Sequence, residues 1–247
     1  MPDTVENPVE SALVNDIGTL MVLEAARCKK IRRVVLASSC AVYGDDPQLP
    51  KYEALAPKPC SPYAVQKLTG EYHARLYFEL YGLETACLRY FNVFGPRQDA
   101  SSPYSGVISL FLTKALRRET PVIFGDGHQS RDFVFVKDVV KANLLAASAP
   151  DAAGSVLNVG TGRAVEIKHL WESICLLCGI SVQPRFAPAR PGDILKSVAD
   201  IEQIRTSLGF APEFAFEEGL QETLNWYRDE LGSQGCRRAA DGRLAEV

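Results

Sequence analysis

The sequence lacks the features that would direct it to a membrane, to a secretory route or to nucleic acid. None of its apolar runs reaches the roughly 18 residues that a membrane-spanning helix requires. Its first residues, MPDTVENPVE, lack the basic and then apolar order of a signal peptide. With 27 basic and 30 acidic side chains, the net charge of −3 provides no positive field for nucleic acid or an anionic membrane. We therefore expect a globular, cytoplasmic protein with neither partner.

Metal-ligand patterns are also scarce. The three histidines are scattered along the chain and match no ligand spacing. The seven cysteines are an odd number, and most lie in apolar segments, where a thiol packs as a small hydrophobe. Cys175 and Cys178 form a C-x-x-C, but it lies in an apolar helical pattern with no second pair of ligands nearby, and a structural zinc site needs four. We predict no disulfide and no metal site.

What the sequence does contain is an alternation of helical and strand patterns. Apolar residues at three-and-four spacing predict helices over 11–28, from Ser61–Pro62 to Tyr81, near 107–118, and through residue 177. Apolar runs predict buried strands over 32–39, from Leu83 to about Asn92, and from Gly154. Ser61 is a typical helix N-cap and Gly82 a typical helix stop. The alternation predicts the α/β class with a parallel sheet.

Four polar side chains are expected to converge at one edge of that sheet. Ser39 and Asn92 end predicted strands, and ligands of open α/β sheets bind beyond the carboxyl ends of the strands. Tyr63 and Lys67 begin the helix that follows the first strand, and their spacing of four places them on one helix face. A neighbouring ammonium would lower the pKa of a phenol, so Tyr63 becomes a candidate base for an alcohol. Ser39 would hold the reacting oxygen.

These residues carry a family resemblance. The chain resembles the extended short-chain dehydrogenases/reductases, specifically the NAD-dependent nucleotide-sugar epimerase/dehydratase family. The matching stretches run in the family's order across most of residues 8–215: NDIGT (15–19), ASSCAVYGD (37–45), SPYAVQK (61–67), LRYFNVFGPRQ (88–98), GDGHQSRDFVFVKDVV (125–140), LNVGTG (157–162), and RPGD with SVAD (190–200).

The resemblance implies a role for each matching residue. Ser39, Tyr63 and Lys67 are implied as the catalytic trio, and Asn15 and Ser38, together with Tyr63 and Lys67, as contacts of NAD. The substrate contacts implied are Ser39, Asn92, Arg131, Arg190, Asp193 and Ser197. A buried diphosphate needs guanidinium and amide donors, and ribose hydroxyls need a carboxylate acceptor, which agrees with these residue types.

The residues after Ser39 indicate the reaction. Dehydratases and decarboxylases of the family typically carry acidic residues there, whereas this chain has Cys40 and Ala41. We therefore predict a UDP-sugar 4-epimerase that transiently oxidises C4 with NAD; a nucleotide-sugar dehydratase or reductase is the family alternative. Ser197 stands seven residues after Arg190, where related epimerases carry a gatekeeper side chain. A serine there favours UDP-GlcNAc/GalNAc, with UDP-Glc/Gal as possible further substrates.

The resemblance also raises questions of organisation. The family's opening strand and glycine-rich turn, which bind the NAD pyrophosphate, find no match in residues 1–247. We expect residues 1–93, with a strand return at 154–162, to form the second half of a Rossmann domain. Residues 94–232 would then be mainly a substrate lobe and 233–247 a disordered tail. A chain without NAD that binds only nucleotide sugar or a partner subunit is the alternative. The family further implies a homodimer through a four-helix bundle formed by helices 11–28 and 63–81.

Overall fold

The structure, a computed structural model, describes residues 2–102, 106–189 and 194–241. The helices are α1 (Pro2–Glu6), α2 (Pro8–Ala12), α3 (Gly18–Cys28), α4 (Pro62–Tyr81), α5 (Val107–Leu116), α6 (Val136–Ser148), α7 (Ile167–Cys178), α8 (Glu202–Leu208) and α9 (Phe216–Asp241). The strands are β1 (Arg33–Ser39), β2 (Glu84–Tyr90), β3 (Asn92–Phe94), β4 (Val122–Phe124), β5 (Ser130–Arg131), β6 (Phe133–Phe135), β7 (Ser155–Val159), β8 (Val165–Glu166) and β9 (Arg185–Ala187). A π-helical segment, Leu13–Ile17, joins α2 to α3.

A parallel sheet in the order β1-β2-β7 forms the centre of the larger lobe. Alternate side chains of its strands pack on opposite faces, as the pleat requires. Ala86 and Leu88 join Leu157 in an apolar core with α6 and α8. On the other face, Thr85 donates a hydrogen bond to the Ala74 carbonyl of α4 at 2.8 Å. The sheet is therefore covered by helices on both faces, and the predicted α/β class is confirmed.

Helix α4 begins and ends where the sequence predicts. The Ser61 side chain accepts a hydrogen bond from the Ala64 amide at 3.2 Å, and Pro62 occupies the first turn, where no amide partner is required. The helix stops at Gly82, whose φ of 67° lies in the left-handed region that glycine enters without a steric cost. These two ends place Tyr63 and Lys67 in the first two turns of the helix.

The predicted strand from Leu83 to Asn92 is divided in the structure. β2 ends at Tyr90, the Phe91 amide still donates to the Val159 carbonyl, and the Asn92 amide then donates to the Asp132 carbonyl at 2.9 Å. The backbone changes partner within two residues, so β3 pairs with β6 in a second parallel sheet. This change of partner sets Asn92 beside the strand that follows Arg131, although the sequence alone reads as one continuous apolar run.

The second lobe is built on an aromatic core. Phe94, Phe133 and Phe135 pack with Phe111 and Trp171, and α5, α7 and α9 surround them. The predicted division of the chain at residue 93 does not separate the two lobes completely. Helices α6 and α8 follow residue 93 in the chain but cover the β1-β2-β7 sheet. Within the described part of the chain, no helix combines the length and apolar character needed to cross a bilayer.

The backbone of residues 233–241 continues α9 to Asp241, and the disordered tail over 233–247 stays a prediction. Extending an existing helix needs no new nucleation, so a polar segment without apolar periodicity can still follow a packed helix. Residues 242–247, the rest of that predicted tail, lie outside the described residues.

Candidate functional site

The predicted catalytic side chains meet at the carboxyl end of β1. The Tyr63 hydroxyl lies close to the side chain of Ser39, the last residue of β1, and the Ser39 side chain lowers the pKa of the phenol. The Lys67 Nζ lies 5.7 Å from the centroid of the Tyr63 ring and donates to the Ala37 carbonyl at 2.9 Å. The Ser39 side chain also accepts a hydrogen bond from the Ala41 amide at 3.2 Å, which caps the short 3-10 turn Cys40–Tyr43. The structure thus brings Ser39, Tyr63 and Lys67 together.

The direction of the Tyr63 pKa differs from the expectation. Burial raises the pKa of the phenol, and the Ser39 side chain offsets only part of this effect. Burial also lowers the pKa of Lys67. The predicted lowering by Lys67 does not contribute, and the ammonium lies over the ring of Tyr63, 5.7 Å from its centroid. Without a further positive charge near the oxygen, the phenol keeps its proton at neutral pH.

A cavity of about 510 Å³ opens beside Tyr63 and is lined by residues of α1, α2 and the π-helical segment, Asn15 among them. The side-chain amide of Asn15 donates to the side-chain oxygen of Gln66 at 2.7 Å. The side-chain NH₂ of Gln66 donates to the Ser11 hydroxyl at 2.7 Å. π-Helical turns often occur at functional sites, and this one directs Asn15 to the helix that carries Tyr63. Ser38, which was also predicted to contact NAD, differs from the other three predicted residues, because its buried hydroxyl donates a hydrogen bond to Glu71.

This donor set fits one end of NAD. The Lys67 ammonium carries three N–H donors, and one of them points to the Ala37 carbonyl. Amide and hydroxyl groups of Asn15 and Ser11 line the adjoining cavity. Such donors and acceptors suit the hydroxyls of a ribose and a carboxamide. The residues present therefore fit the nicotinamide riboside end of the cofactor.

The predicted substrate residues lie on the other side of Ser39. The Ser197 amide donates to the Ser130 carbonyl at 3.1 Å, so Ser197 lies beside Arg131 in β5. The Cys40 thiol lies close to the Ser197 side chain and to Arg131. Burial, together with nearby Asp132, raises the pKa of Cys40 to about 11, so this thiol is neutral at physiological pH. Asn92 begins β3, two residues beyond the Tyr90 that pairs with Ser39.

Two predicted substrate residues, Arg190 and Asp193, lie outside the described residues. The sequence analysis also missed a supporting residue, Asp132, which is fully buried. One of its carboxylate oxygens accepts from the Thr161 amide at 2.9 Å and the Thr161 hydroxyl at 2.7 Å. The other accepts from the Gly162 amide at 2.9 Å and the Ala199 amide at 3.1 Å. Asp132 thus fixes the loop after β7 against the segment that carries Ser197.

A second missed group is the buried pair of Glu71 and Arg89, whose atoms approach to 2.7 Å. The signal was present in the sequence, because Arg89 interrupts the apolar run LETACLRY and a buried arginine needs a partner. Glu71 follows Lys67 by four residues and therefore lies on the same helix face.

A further cavity of about 960 Å³ lies in the second lobe, and its lining includes His128, Glu166 and Phe216 but none of Ser39, Tyr63 and Lys67. It is larger than the cavity beside Tyr63. We place the chemistry at the smaller one, because it adjoins Tyr63 at the carboxyl end of β1, the edge where ligands of parallel sheets bind.

Comparison with known proteins gives one family. The family model described as "NAD dependent epimerase/dehydratase family" matches residues 1–160. A protein of Methanocaldococcus jannaschii named "Putative UDP-glucose 4-epimerase" is 40% identical over 228 residues, which are 92% of this chain and 73% of that protein. Less similar relatives include proteins named dTDP-glucose 4,6-dehydratase and UDP-N-acetyl-alpha-D-glucosaminuronate decarboxylase.

Solved structures agree with this result. The UDP-N-acetylglucosamine 4-epimerase of Methanobrevibacter ruminantium M1, solved with UDP-N-acetylmuramic acid, is 41% identical with a TM-score of 0.89, over 93% of this chain and 73% of that one. The UDP-glucose 4-epimerase of Thermotoga maritima, solved with UDP-glucose, is 36% identical with a TM-score of 0.89, over 92% of this chain and 74% of that one.

Proposed function

The chain belongs to the NAD dependent epimerase/dehydratase family, and from this premise we propose that it is a UDP-sugar 4-epimerase. The observation that carries the proposal is the contact of Tyr63 with Ser39 at the end of β1, with Lys67 over the phenol ring. The names of the relatives and structural neighbours support the same reaction class.

In the proposed reaction, Ser39 holds the C4 oxygen of the sugar and Tyr63 moves its proton. NAD supplies the chemistry of a reversible hydride acceptor at C4. Tyr63 must be a phenolate to take the proton, yet burial raises its pKa. A cationic ring bound in the adjoining cavity would lower that pKa, because an opposite charge nearby favours the ionised form. The phenol therefore acts as a base only when the cavity is filled. It keeps its proton when the cavity is empty.

The surroundings of Ser39 support epimerisation over dehydration. Eliminating water across C5 and C6 needs an additional acid and base near the sugar. Cys40 follows Ser39, and its pKa, raised by burial to about 11, makes it a poor proton carrier at neutral pH. Ala41 carries no titratable group. An epimerase needs only Tyr63 and the returning hydride, so this environment favours the epimerase.

The test is turnover of purified protein with NAD and each of two substrate pairs, UDP-Glc/Gal and UDP-GlcNAc/GalNAc. We expect the Tyr63→Phe variant to lose about 10²–10⁴-fold in kcat, the usual contribution of a positioned acid–base group, with KM little changed. Tyr52→Phe, at an exposed tyrosine outside α4, is the control. Release of a 4-keto-6-deoxy sugar instead of the C4 epimer would refute the proposed reaction.

We further propose that the small Ser197 side chain admits a 2-acetamido sugar. Ser197 is buried and packs with Cys40 and Arg131 beside the catalytic serine. A bulky side chain at this position would fill space next to the sugar. We expect Ser197→Tyr to lower kcat/KM for UDP-GlcNAc at least about 10-fold, with a smaller effect on UDP-Glc, because overpacking excludes the larger substrate. Rejection of UDP-GlcNAc by the unaltered protein would contradict the proposal.

We propose that two copies pair through α4 and the helices beside it. Apolar side chains that are 46–67% exposed form a stripe along α4: Val65, Tyr72, Leu76 and Leu80. The neighbouring helices expose a second stripe: Val9, Leu13, Ile17 and Met21. Two adjacent apolar helix faces per copy suit a four-helix bundle.

Sedimentation at micromolar concentration tests this pairing. Leu76→Arg is expected to convert dimers to monomers, because it places a charge in the centre of the stripe. Leu176→Arg, at a more exposed leucine on α7, is expected to leave the assembly unchanged. A monomeric unaltered protein would refute the pairing.

A second candidate function is favoured by the outer edge of β1. Among the described strands, β1 pairs with β2 alone, and a cavity of about 360 Å³ beside it is lined by Val14, Val22, Val34 and Leu36. An unpaired apolar edge suits a further strand. In this alternative, the chain binds nucleotide sugar and a partner polypeptide without turnover. NAD recovered from the denatured, purified protein would favour the epimerase, and UDP binding without NAD would favour the alternative.

A further inference from the structure

A row of buried polar side chains crosses the central sheet one residue before the catalytic serine. Ser38, Arg89 and Asn158 are register partners on β1, β2 and β7. Each has less than 5% of its surface exposed. Because side chains on neighbouring strands at one level point to the same face, all three face α4. A polar row in a sheet interior is costly unless it is fully paired.

Glu71 of α4 completes the pairing of this row. One oxygen of its carboxylate accepts from the Ser38 hydroxyl at 2.5 Å and from Arg89 Nε at 2.9 Å, and the other accepts from Arg89 Nη2 at 2.7 Å. The Arg89 guanidinium lies 4.8 Å from the centroid of the Tyr43 ring. The Tyr43 hydroxyl donates to Asn158 at 2.7 Å, so the network continues to β7. The Glu71 carboxylate is therefore the junction between α4 and all three strands.

Three residues of α4, spaced by four along the helix, contact the last three residues of β1. Tyr63 contacts Ser39, Lys67 contacts the Ala37 carbonyl, and Glu71 contacts Ser38. These three helix residues are spaced by four and occupy one face, so a rotation or shift of α4 would change all three contacts together. Glu71 also makes a bidentate contact with Arg89 of β2. This geometry restrains both the distance and the orientation of α4 relative to the sheet.

We propose that Glu71, held by Arg89, is a positioning residue that sets the rotation of α4 and thereby places the Tyr63 hydroxyl on Ser39. This inference rests on the proposed function of Tyr63 as the proton-transferring group. Glu71 does not touch the reacting atoms, and it acts through Tyr63. Displacements of about 1 Å at a catalytic group are enough to cost about 100-fold in rate, so a residue two helical turns away can control turnover.

The kinetic test replaces Glu71 by glutamine, which keeps its shape and removes its charge. We expect Glu71→Gln to lower kcat by about 10–100-fold with KM changed by less than about 3-fold. In the Tyr63→Phe background, the same change is expected to cost no more than about 2-fold, because the group that it positions is already absent. Glu79→Gln, at an exposed glutamate of the same helix, is the matched control and is expected to leave kcat unchanged.

A second measurement needs no turnover. In protein labelled with 3-fluorotyrosine, the Tyr63 resonance is assigned by its absence from Tyr63→Phe. We expect Glu71→Gln to shift or broaden the Tyr63 resonance in folded protein and Glu79→Gln to leave it in place. If Glu71→Gln does not fold, Ser38→Ala removes one contact of the same carboxylate without a charge change and is expected to move the same resonance.

The outcomes separate the two proposals. An unmoved Tyr63 resonance in folded Glu71→Gln or Ser38→Ala protein overturns the positioning role. An equal loss of kcat in the presence and absence of the Tyr63 hydroxyl also overturns it. A shifted resonance in a protein that fails to epimerise any UDP sugar supports the positioning role while it refutes the proposed function.

Discussion

Substitution of Asp132 tests how the loop after β7 is held. In Asp132→Asn, one of the two carboxylate oxygens becomes an NH₂ group. If the NH₂ replaces the oxygen that faces Gly162 and Ala199, two backbone amides lose their acceptor, and that of Ala199 is buried. If the NH₂ replaces the other oxygen, only the Thr161 amide loses its acceptor. The Thr161 hydroxyl can rotate and accept a hydrogen bond from the new NH₂ group.

The second orientation is cheaper and determines the expected magnitude. One buried N–H without an acceptor costs about 1–3 kcal/mol, and two cost about 2–6 kcal/mol. We therefore expect Asp132→Asn to reduce the free energy of unfolding by about 1–3 kcal/mol. In a Thr161→Val background the cheaper orientation loses its advantage, so the same substitution is expected to cost more. The two changes are then coupled rather than additive.

Urea unfolding followed by fluorescence measures these differences. Asp126→Asn is the matched control, because Asp126 is exposed on the preceding turn and accepts one backbone hydrogen bond from His128. Its expected cost is within about 0.5 kcal/mol. A cost for Asp132→Asn as small as that of the control would refute the reasoning, as would strict additivity with Thr161→Val.

Three further predictions concern buried groups elsewhere. Burial raises the pKa of Tyr43 from 10.0 to about 12, so its contribution to stability is complete below pH 10.0 and is lost as the pH rises to about 12. Tyr43→Phe should therefore remove about 3 kcal/mol of the alkaline loss of unfolding free energy. Gly154→Ala should destabilise the fold by about 1–3 kcal/mol, because φ is +74° and the new Cβ would lie 2.4 Å from the Phe78 ring. At pH 8 a thiol reagent should modify exposed Cys60 quickly, but Cys87 only after unfolding, since burial raises the Cys87 pKa to about 12.

Matched controls give these predictions their meaning. Tyr52→Phe removes an exposed phenol outside the proposed pairing surface and should leave the alkaline transition unchanged. Gly209→Ala has a similar φ of +65° with no atom within 4 Å, so it separates backbone strain from steric overlap. Modification of Cys87 in folded protein at the rate of Cys60 would contradict its burial. A steeper alkaline loss in Tyr43→Phe than in the unaltered protein would contradict the sign of the linkage.

The sequence was sufficient for the elements that depend on local pattern. The cap at Ser61, the stop at Gly82 and the apolar run of β1 are local signals, and each element lies where it was predicted, although Ser38 and Ser39 are the buried residues of β1 and the rest of that strand is half-buried or exposed. The meeting of Tyr63, Lys67 and Ser39 also follows from local spacing combined with the rule that sites lie at the ends of parallel strands. The family resemblance added Asn15, which lines the cavity beside Tyr63.

What the sequence did not predict depends on distant contacts. The break between β2 and β3 arises from the Asp132 carbonyl, which lies 40 residues beyond Asn92 in the chain, and no local pattern reveals it. The raised pKa of Tyr63 comes from burial, and Lys67 lies over its ring, neither of which spacing determines. Glu71 was overlooked because a glutamate in a helix is usually solvated.

The pairing of Glu71 with Arg89 also limits how this chain can be recombined. Either residue alone would leave a charge buried in the sheet interior, so replacing one without the other passes through a strongly destabilised protein. The two positions lie on different elements, α4 and β2, and are therefore expected to be inherited as a unit. Grafting α4 from a relative will succeed only when the donor's second strand is transplanted with it.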